Sequence, residues 1–361
     1  MKRLECLDGL RGVLAVYVML GHMAPFAVLP PWVQSIVSHG GAAVDVFFIL
    51  SGLVITQSLF SSGGQAAPFL VARVTRIFPA FLPVFALAVL LQPASCGFER
   101  MPWVGPGNAA RTICGMTWPY TWPTEIAAHL TMTHGLFPDG VLPDVWVSFL
   151  GAAWSLSTEW QFYVFMLVGY AGPGKLRNGL ILLAAAGIAW HWLMPENWQF
   201  SRAFLANKAH FFALGVASQA LVHQRRGALA AYSVTLVVTL MICASQDTLG
   251  KVLPPLVWSG CLAAQLLPDR FGLRQISVLL RSHVAQHLGA ISYCVYLVNE
   301  PIHKLIAIGL SRLAGGNAAI FTALWIPLAL LLPILAAAWL HTHIERPGIR
   351  WGRVVTHAWF A

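Results

Sequence analysis

Charge is what this sequence has least of. Asp, Glu, Lys and Arg make up 10% of its 361 residues, against about a quarter in a soluble domain, and that shortage excludes an ordinary water-facing exterior. Acidic groups are scarcer still, 13 against 22 Lys and Arg for a net charge of +9. The basic excess is not gathered into a soluble unit with one basic face, so it does not argue for nucleic acid. Cysteine is also sparse, six in all. Cys6, Cys243, Cys261 and Cys294 lack metal-ligand spacing and read as small buried hydrophobes, and no metal is expected. No internal repeat or low-complexity linker divides the chain, which reads as one domain over residues 1–361 with a short basic tail after Glu345.

What is abundant is apolar: 58% of the residues are hydrophobic. Runs of about 20 residues, enough to cross a bilayer as helix, fall near 9–29, 40–60, 77–93, 145–170, 178–195, 203–222, 228–244, 251–267, 286–310 and 318–341. The expected fold is an all-α integral membrane protein of about ten helices around a central polar cavity. Loop charge orients it, because Lys and Arg are retained on the cytoplasmic side. With the N-terminus inside, that side collects Lys2, Arg3, Arg11, Arg73, Arg76, Lys175, Arg177, Arg225, Arg226, Arg270, Arg274, Arg281, Arg346, Arg350 and Arg353. Glu99, Glu125, Asp139, Asp144, Glu196 and Asp247 fall outside. Both termini are then cytoplasmic. Arg11 interrupts the first apolar run and no small-residue cleavage site follows, so an uncleaved first span is expected rather than a signal peptide.

The one long loop, about 92–144, lies outside on this map. Cys96 and Cys114 could form a disulfide there. Its Trp103, Pro106, Trp118, Pro119, Trp122 and Pro123 suit interfacial anchoring, with a sugar-stacking lip as the second reading.

Polar residues at membrane depth are costly and by default functional. Arg11 and His22 share the first span, and their eleven-residue separation returns the helix to within roughly 20° and places them about 16 Å apart along one face. Asp45 precedes Phe47-Phe48-Ile49-Leu50-Ser51-Gly52, and Arg73 and Arg76 precede Ile77-Phe78-Pro79. Further on come Trp154-Ser155-Leu156-Ser157-Thr158-Glu159 with Phe162-Tyr163, and Ser292-Tyr293 through Tyr296-Leu297-Val298-Asn299-Glu300-Pro301. Ser155 and Glu159 are one helical turn apart, as are Asn299 and His303, and all are candidates for a shared cavity. Other motifs fail. Gly169 to Leu176 nearly spells a phosphate-binding loop but has Leu176 where Ser or Thr must bind magnesium. His39 and Asp45 are one residue too far apart for the His-x4-Asp pattern, and His341 and His343 fall on different helix faces.

Taken together, these segments resemble the acyltransferase-3 family of bacterial multi-pass membrane acyltransferases. The matches are Leu7-Asp8-Gly9-Leu10-Arg11-Gly12 with the Arg-x10-His spacing to His22, Phe47-Phe48-x-x-Ser51-Gly52, Arg73-x-x-Arg76-Ile77-x-Pro79, Trp154-Ser155-Leu156-x-x-Glu159-x-x-Phe162-Tyr163, Ser292-Tyr293-x-x-Tyr296-Leu297 and Glu345-Arg346-Pro347. They run in family order over the whole chain.

The resemblance implies transfer of an acyl group, often acetyl, from cytoplasmic acyl-CoA to a hydroxyl of a saccharide or glycosylated acceptor, in the cytoplasmic membrane and among its lipids. Arg11, Arg73 and Arg76 sit on the cytoplasmic side, where guanidinium groups suit CoA phosphates. His22 lies deeper, at a depth comparable to the reach of a pantetheine arm. It would act as general base or carry the acyl group covalently, with Glu159 orienting it or the acceptor. Asp45, Ser51, Trp154, Ser155, Tyr163, Tyr296 and Asn299 would line the substrate cavity, and Asp8 would cap the first helix or pair with Arg11. Two departures stand out: Asn299 replaces a histidine common at that place in the family, with His303 one turn on, and no SGNH esterase domain is expected. The competing class is a proton-coupled transporter using Asp45, Glu159, Glu300 and the histidines as relays, but no inverted repeat supports it.

Overall fold

The structure is a computed structural model that describes residues 4–114, 117–138, 140–169, 175–193, 200–246, 249–270 and 272–360. Lys2, Arg3, Asp139, Glu196 and Asp247 of the charge map, and residues 170–174 of the near phosphate loop, lie outside the described residues. Among those described, every regular element is helical: α1 Glu5–Met23, α2 Pro31–Val37, α3 Gly40–Ser61, α4 Ala66–Leu91, α5 Ala110–Cys114, α6 Trp122–Leu130, α7 Trp154–Gly169, α8 Lys175–Trp192, α9 Ala209–Val222, α10 Ala228–Ser245, α11 Leu249–Leu266, α12 Leu273–Leu280, α13 His283–Leu313, α14 Ala318–Leu340 and α15 Arg346–Phe360.

Five helical stretches are long and apolar enough to cross a bilayer: Glu5–Phe26, Pro31–Ser61, Ala66–Leu91, Ala228–Ser245 and Ala318–Trp359. The remaining expected spans correspond to helices that are shorter or more polar, for a physical reason. α9 has 14 residues, and every one from Ala209 to Ala220 is buried. α13 buries Asn299, His303 and Lys304. A helix wrapped by other helices need not present an apolar surface to lipid. α14 shows the opposite pattern, with Leu331, Leu335 and Trp339 all exposed.

Small residues set the closest packing. On α1, a Cβ at Gly9 or Gly12 would collide with the backbone of Leu280 or Gly289, and one at Gly289 on α13 would collide with Asp8. Gly52 of α3 and Gly215 of α9 meet in the same way. Such approaches let helix backbones touch where no hydrophobic force drives them together. The glycines of the Leu7–Gly12 and Ser51-Gly52 motifs therefore serve packing.

Three boundaries differ from the sequence expectation. α4 starts at Ala66, so Arg73 and Arg76 are inside a helix whose basic turn faces a cavity. The fourth apolar run is not helical until residue 151, where a short 3₁₀ turn leads into α7. Residues 145–150 form irregular backbone with Phe149 at φ 59°, tolerated at depth because it lines a cavity. Asp8 does not cap α1, whose N-cap is Leu4. It sits in the helix with its carboxylate 3.8 Å from Arg11.

The Glu345-Arg346-Pro347 motif closes the bundle. A π-helical turn, His341–Glu345, joins α14 to α15. The buried Glu345 carboxylate accepts from His341 at 2.6 Å and Cys294 at 3.2 Å, and faces Arg76 at 3.0 Å. It thus ties α13, α4 and the C-terminal helix together. These Cys294, His341 and Glu345 atoms lie within 4.8 Å of one another, a spacing that could hold a metal ion, but Arg76 already answers the carboxylate's charge. α15 carries Trp351, Val354 and Trp359 exposed on one side, in the manner of an interfacial helix.

In the outer loop, Cys96 and Cys114 are bridged, with Cα atoms 5.7 Å apart. Trp103 donates to Phe26 O at 3.0 Å, anchoring the loop on the end of α1. His129 and His134 stack at 4.1 Å, and His134 Nε2–H donates to Ala153 O at 3.1 Å. Burial pushes the His134 imidazole down to about 4, and burial with the neighbouring His134 holds His129 well below its usual range.

Candidate active site

Two chambers lie end to end in the bundle. The first, about 560 Å³, is walled by α1, α3, α4, α7, α13 and α15. The second, about 590 Å³, is walled by α1, α3, α13 and the irregular segment before α7. Val44 and Tyr296 line both. At this boundary the Tyr296 hydroxyl and Ser155 Oγ are hydrogen-bonded at 2.9 Å.

The first chamber gathers Arg11, Arg73, Arg76, Ser51, Ser155, Glu159, Tyr163 and Tyr296. Its arginines are held differently. Arg11 donates from Nη2 to Gly289 O at 2.8 Å, and Arg76 pairs with buried Glu345. Arg73 lines the chamber with its Nε buried and without a hydrogen-bond partner. Ser51 donates to Glu159 at 2.9 Å. From α15 come Arg353, Thr356 and His357, which in the sequence read as part of a short basic tail; the amphipathic spacing within Arg346–Phe360 is their one signal there.

The second chamber holds His22, Trp154, Glu300, Lys304, Arg202, Asp144 and Trp146. His22 Nδ1 is 2.6 Å from Asn299 Oδ1 and 3.6 Å from Glu300 Oε1. The other Glu300 oxygen accepts the Ala152 N–H at 3.0 Å. Arg202 lies 5.8 Å from the ring centres of both Trp146 and Trp154. In the sequence neither Trp146 nor Arg202 stands out, because the first sits in a run that reads as helix and the second in a connecting segment. Glu300 is visible beside Asn299, where the sequence marks it only as a relay for the transporter alternative.

Three expected placements are corrected. Asp45 lines neither chamber; its carboxylate is buried against Lys208 at 2.6 Å and faces Lys251 at 4.0 Å, an ion pair joining α3 to the segment before α9. Glu159 lies in the first chamber with Ser51, and the groups beside His22 are Asn299 and Glu300. His303 faces away, bonded to Ala329 O at 2.9 Å.

A family model described as an acyltransferase domain matches residues 4–343. Two curated relatives are similar. One is named O-acetyl transferase, of Shigella phage Sf6, 26% identical over 55% of this chain and 55% of its own length. The other is Acyltransferase MdmB of Streptomyces mycarofaciens, 26% identical over 96% of this chain and 92% of its own length. The chain thus aligns with about half the length of the phage protein. No solved structure matches.

Proposed function

We propose a reaction for this chain, which belongs to the acyltransferase domain family: it moves an acyl group, acetyl foremost, from cytoplasmic acyl-CoA to a hydroxyl of a saccharide or glycosylated acceptor across a bacterial inner membrane. The observation that carries the reading is the meeting of an arginine-lined chamber and a histidine-bearing chamber at Val44 and Tyr296. A long anionic donor and a hydroxylated acceptor can each occupy one chamber and meet at the boundary. Arg73 and Arg11, joined by Arg353, suit the donor's phosphates as charge-assisted, forked donors, while Arg76 beside them stays paired with Glu345. The Trp146 and Trp154 rings, edge to face at 6.5 Å, with Arg202 beside both, suit the apolar faces and hydroxyls of a sugar.

In this reading α7, α8, α9, α11 and α13 also cross the membrane, for about ten crossings, and both termini are cytoplasmic. The retention of basic residues on one side and a disulfide in the loop on the other, where oxidising surroundings permit it, both favour that orientation. Chemistry follows from His22. As the acceptor oxygen attacks the thioester carbonyl, its proton passes to the imidazole. The C–S bond then breaks, and the departing thiolate takes that proton back, giving ester and free thiol. Glu300 offsets the imidazolium charge that forms in between. An acyl-histidine route would use the same residue and would show ping-pong kinetics.

The direct test reconstitutes the purified protein in vesicles with radiolabelled acetyl-CoA and the native membrane glycans. Label should reach the glycans in wild type and not in His22→Ala. Wild-type vesicles that leave acetyl-CoA intact with every glycan fraction would overturn the reading.

A further inference from the structure

We infer that Asn299 determines which nitrogen of His22 carries the proton, leaving Nε2 with the lone pair that acyl transfer requires. The catalytic half of this rests on the function proposed above; the tautomer does not. An amide's oxygen and nitrogen are told apart by their neighbours. One end of the Asn299 side chain faces two backbone carbonyls of its own helix, Val295 O at 3.1 Å and Tyr296 O at 2.7 Å. Only an NH₂ group can serve both, since the reversed amide would set its oxygen against two carbonyl oxygens. Oδ1 is therefore the end that faces His22 Nδ1 at 2.6 Å, and because Oδ1 can only accept, Nδ1 must carry the hydrogen.

Glu300 strengthens the assignment. Its Oε1 is a second acceptor 3.6 Å from the same nitrogen, and its Oε2 is held by the Ala152 N–H, on the short 3₁₀ turn that leads into α7. Gly151 leaves room for this, since a Cβ there would stand 3.0 Å from both carboxylate oxygens. Among the described residues Nε2 has no hydrogen-bond partner, and His22 borders the second chamber. The ring is thus fixed with Nδ1–H toward α13 and Nε2 open. A histidine in place of Asn299 could donate or accept and would not impose one tautomer; an asparagine pinned by two carbonyls works in one direction only. When Nε2 takes the acceptor's proton, Nδ1–H stays bonded to Asn299 and Glu300 faces the new positive charge. Asn299 is a positioning residue and Glu300 a charge partner.

The experiment uses the full chain in lipid nanodiscs with ¹⁵N-labelled histidine, the His22 signals being assigned by their loss in His22→Gln. At about pH 8, where an ordinary imidazole is neutral, wild type should show His22 protonated at Nδ1. Asn299→Leu should shift it toward the Nε2–H form and lower kcat for transfer from acetyl-CoA to native membrane glycans by about 10²-fold, with KM for acetyl-CoA changed by less than about threefold. Asn299→Asp keeps an accepting oxygen toward Nδ1 but sets its other oxygen against the two carbonyls, so it should retain the Nδ1–H form and recover only part of the turnover. A wild-type Nε2–H tautomer overturns the inference even if Asn299→Leu fails to fold, and so does unchanged kcat in Asn299→Leu. A wild type protonated at Nδ1 that transfers nothing would overturn the acyl-transfer reading and the catalytic step with it, while leaving the tautomer assignment standing.

Discussion

The two chambers are of nearly equal volume but differ in how they hold polar groups. In the arginine-lined chamber, helices display cationic groups to open space, and one of them, Arg73, keeps a buried donor without a partner. In the other, the side chain proposed to react is already engaged: His22 meets Asn299, Glu300 sits beside it, and Glu300 in turn is held by the backbone of Ala152. On the proposed reading the first chamber receives charge from a ligand. The second, organised in advance around one imidazole, has the preorganisation that the proposed chemistry needs and mere binding does not. Their walls differ accordingly: the first is lined by helices, and the second adds to its helices an irregular segment carrying positive-φ Phe149.

The sharpest way to break this contrast is to remove the imidazole. His22→Ala should lower transfer by about 10²–10⁴-fold while calorimetric CoA binding stays near wild type; equal loss of binding and turnover would merge the two chambers functionally. Next in size is an effect on folding alone. Asp45→Ala leaves Lys208 buried without its carboxylate and should cost about 3–5 kcal/mol of stability, read as a lowered unfolding temperature in detergent, and Asp45→Asn should cost less. If Asp45→Ala folds normally yet fails in turnover, Asp45 belongs to the substrate path after all.

The third test acts on a buried outer-loop histidine that bonds Ala153, next to a residue that lines the His22 chamber. Burial depresses His134 to about 4, so its folded value lies below the unfolded value of about 6.5. The stabilisation is then complete above about 6.5 and is lost as pH falls toward 4, because the unfolded chain takes up the proton first. At about 1.4 kcal/mol per unit, roughly 3 kcal/mol disappears over that window. Acid unfolding followed by tryptophan fluorescence should shift to lower pH in His134→Phe, and an unchanged midpoint would remove His134 as the cause. Smallest is Arg73→Ala, where loss of a charge-assisted contact of about 1.5–3 kcal/mol should weaken CoA binding by roughly 10–100-fold without unfolding. Arg76→Ala should instead destabilise the protein, because it strips the cation from buried Glu345. Equal behaviour of the two arginines would dissolve the distinction between ligand-facing and structural cations.

These distinctions mark where sequence reading stops. The helical class, the position of α3 and the convergence of Arg11 and Arg73 were legible, because apolar length and intramembrane charge are local signals. Partner choice was not. Nothing near Asp45 in the chain announces Lys208, 163 residues away, and nothing near His22 announces Asn299, 277 residues away. Glu159 looked like the partner of His22 because it is a carboxylate at membrane depth, a property it shares with Glu300. Only the packing of α13 on α1 selects between them. α9 illustrates a different limit: its short, wholly buried run carries no mark separating a helix wrapped in protein from one facing lipid.

The glycines at the crossings of α1 with α13 and of α3 with α9 have a mechanical consequence. Backbones keyed together at van der Waals contact cannot slide or rock past one another without first separating, and the helices so joined carry Arg11, His22, Val44, Tyr296 and Asn299. Alternating-access transport depends on one half of a bundle rocking against the other; here the residues proposed for the two ends of the reaction path sit on helices keyed to one another. The proposed reading then leaves motion across the boundary to side chains, the Tyr296–Ser155 pair first among them, so that the acyl group travels while the helices keep their places.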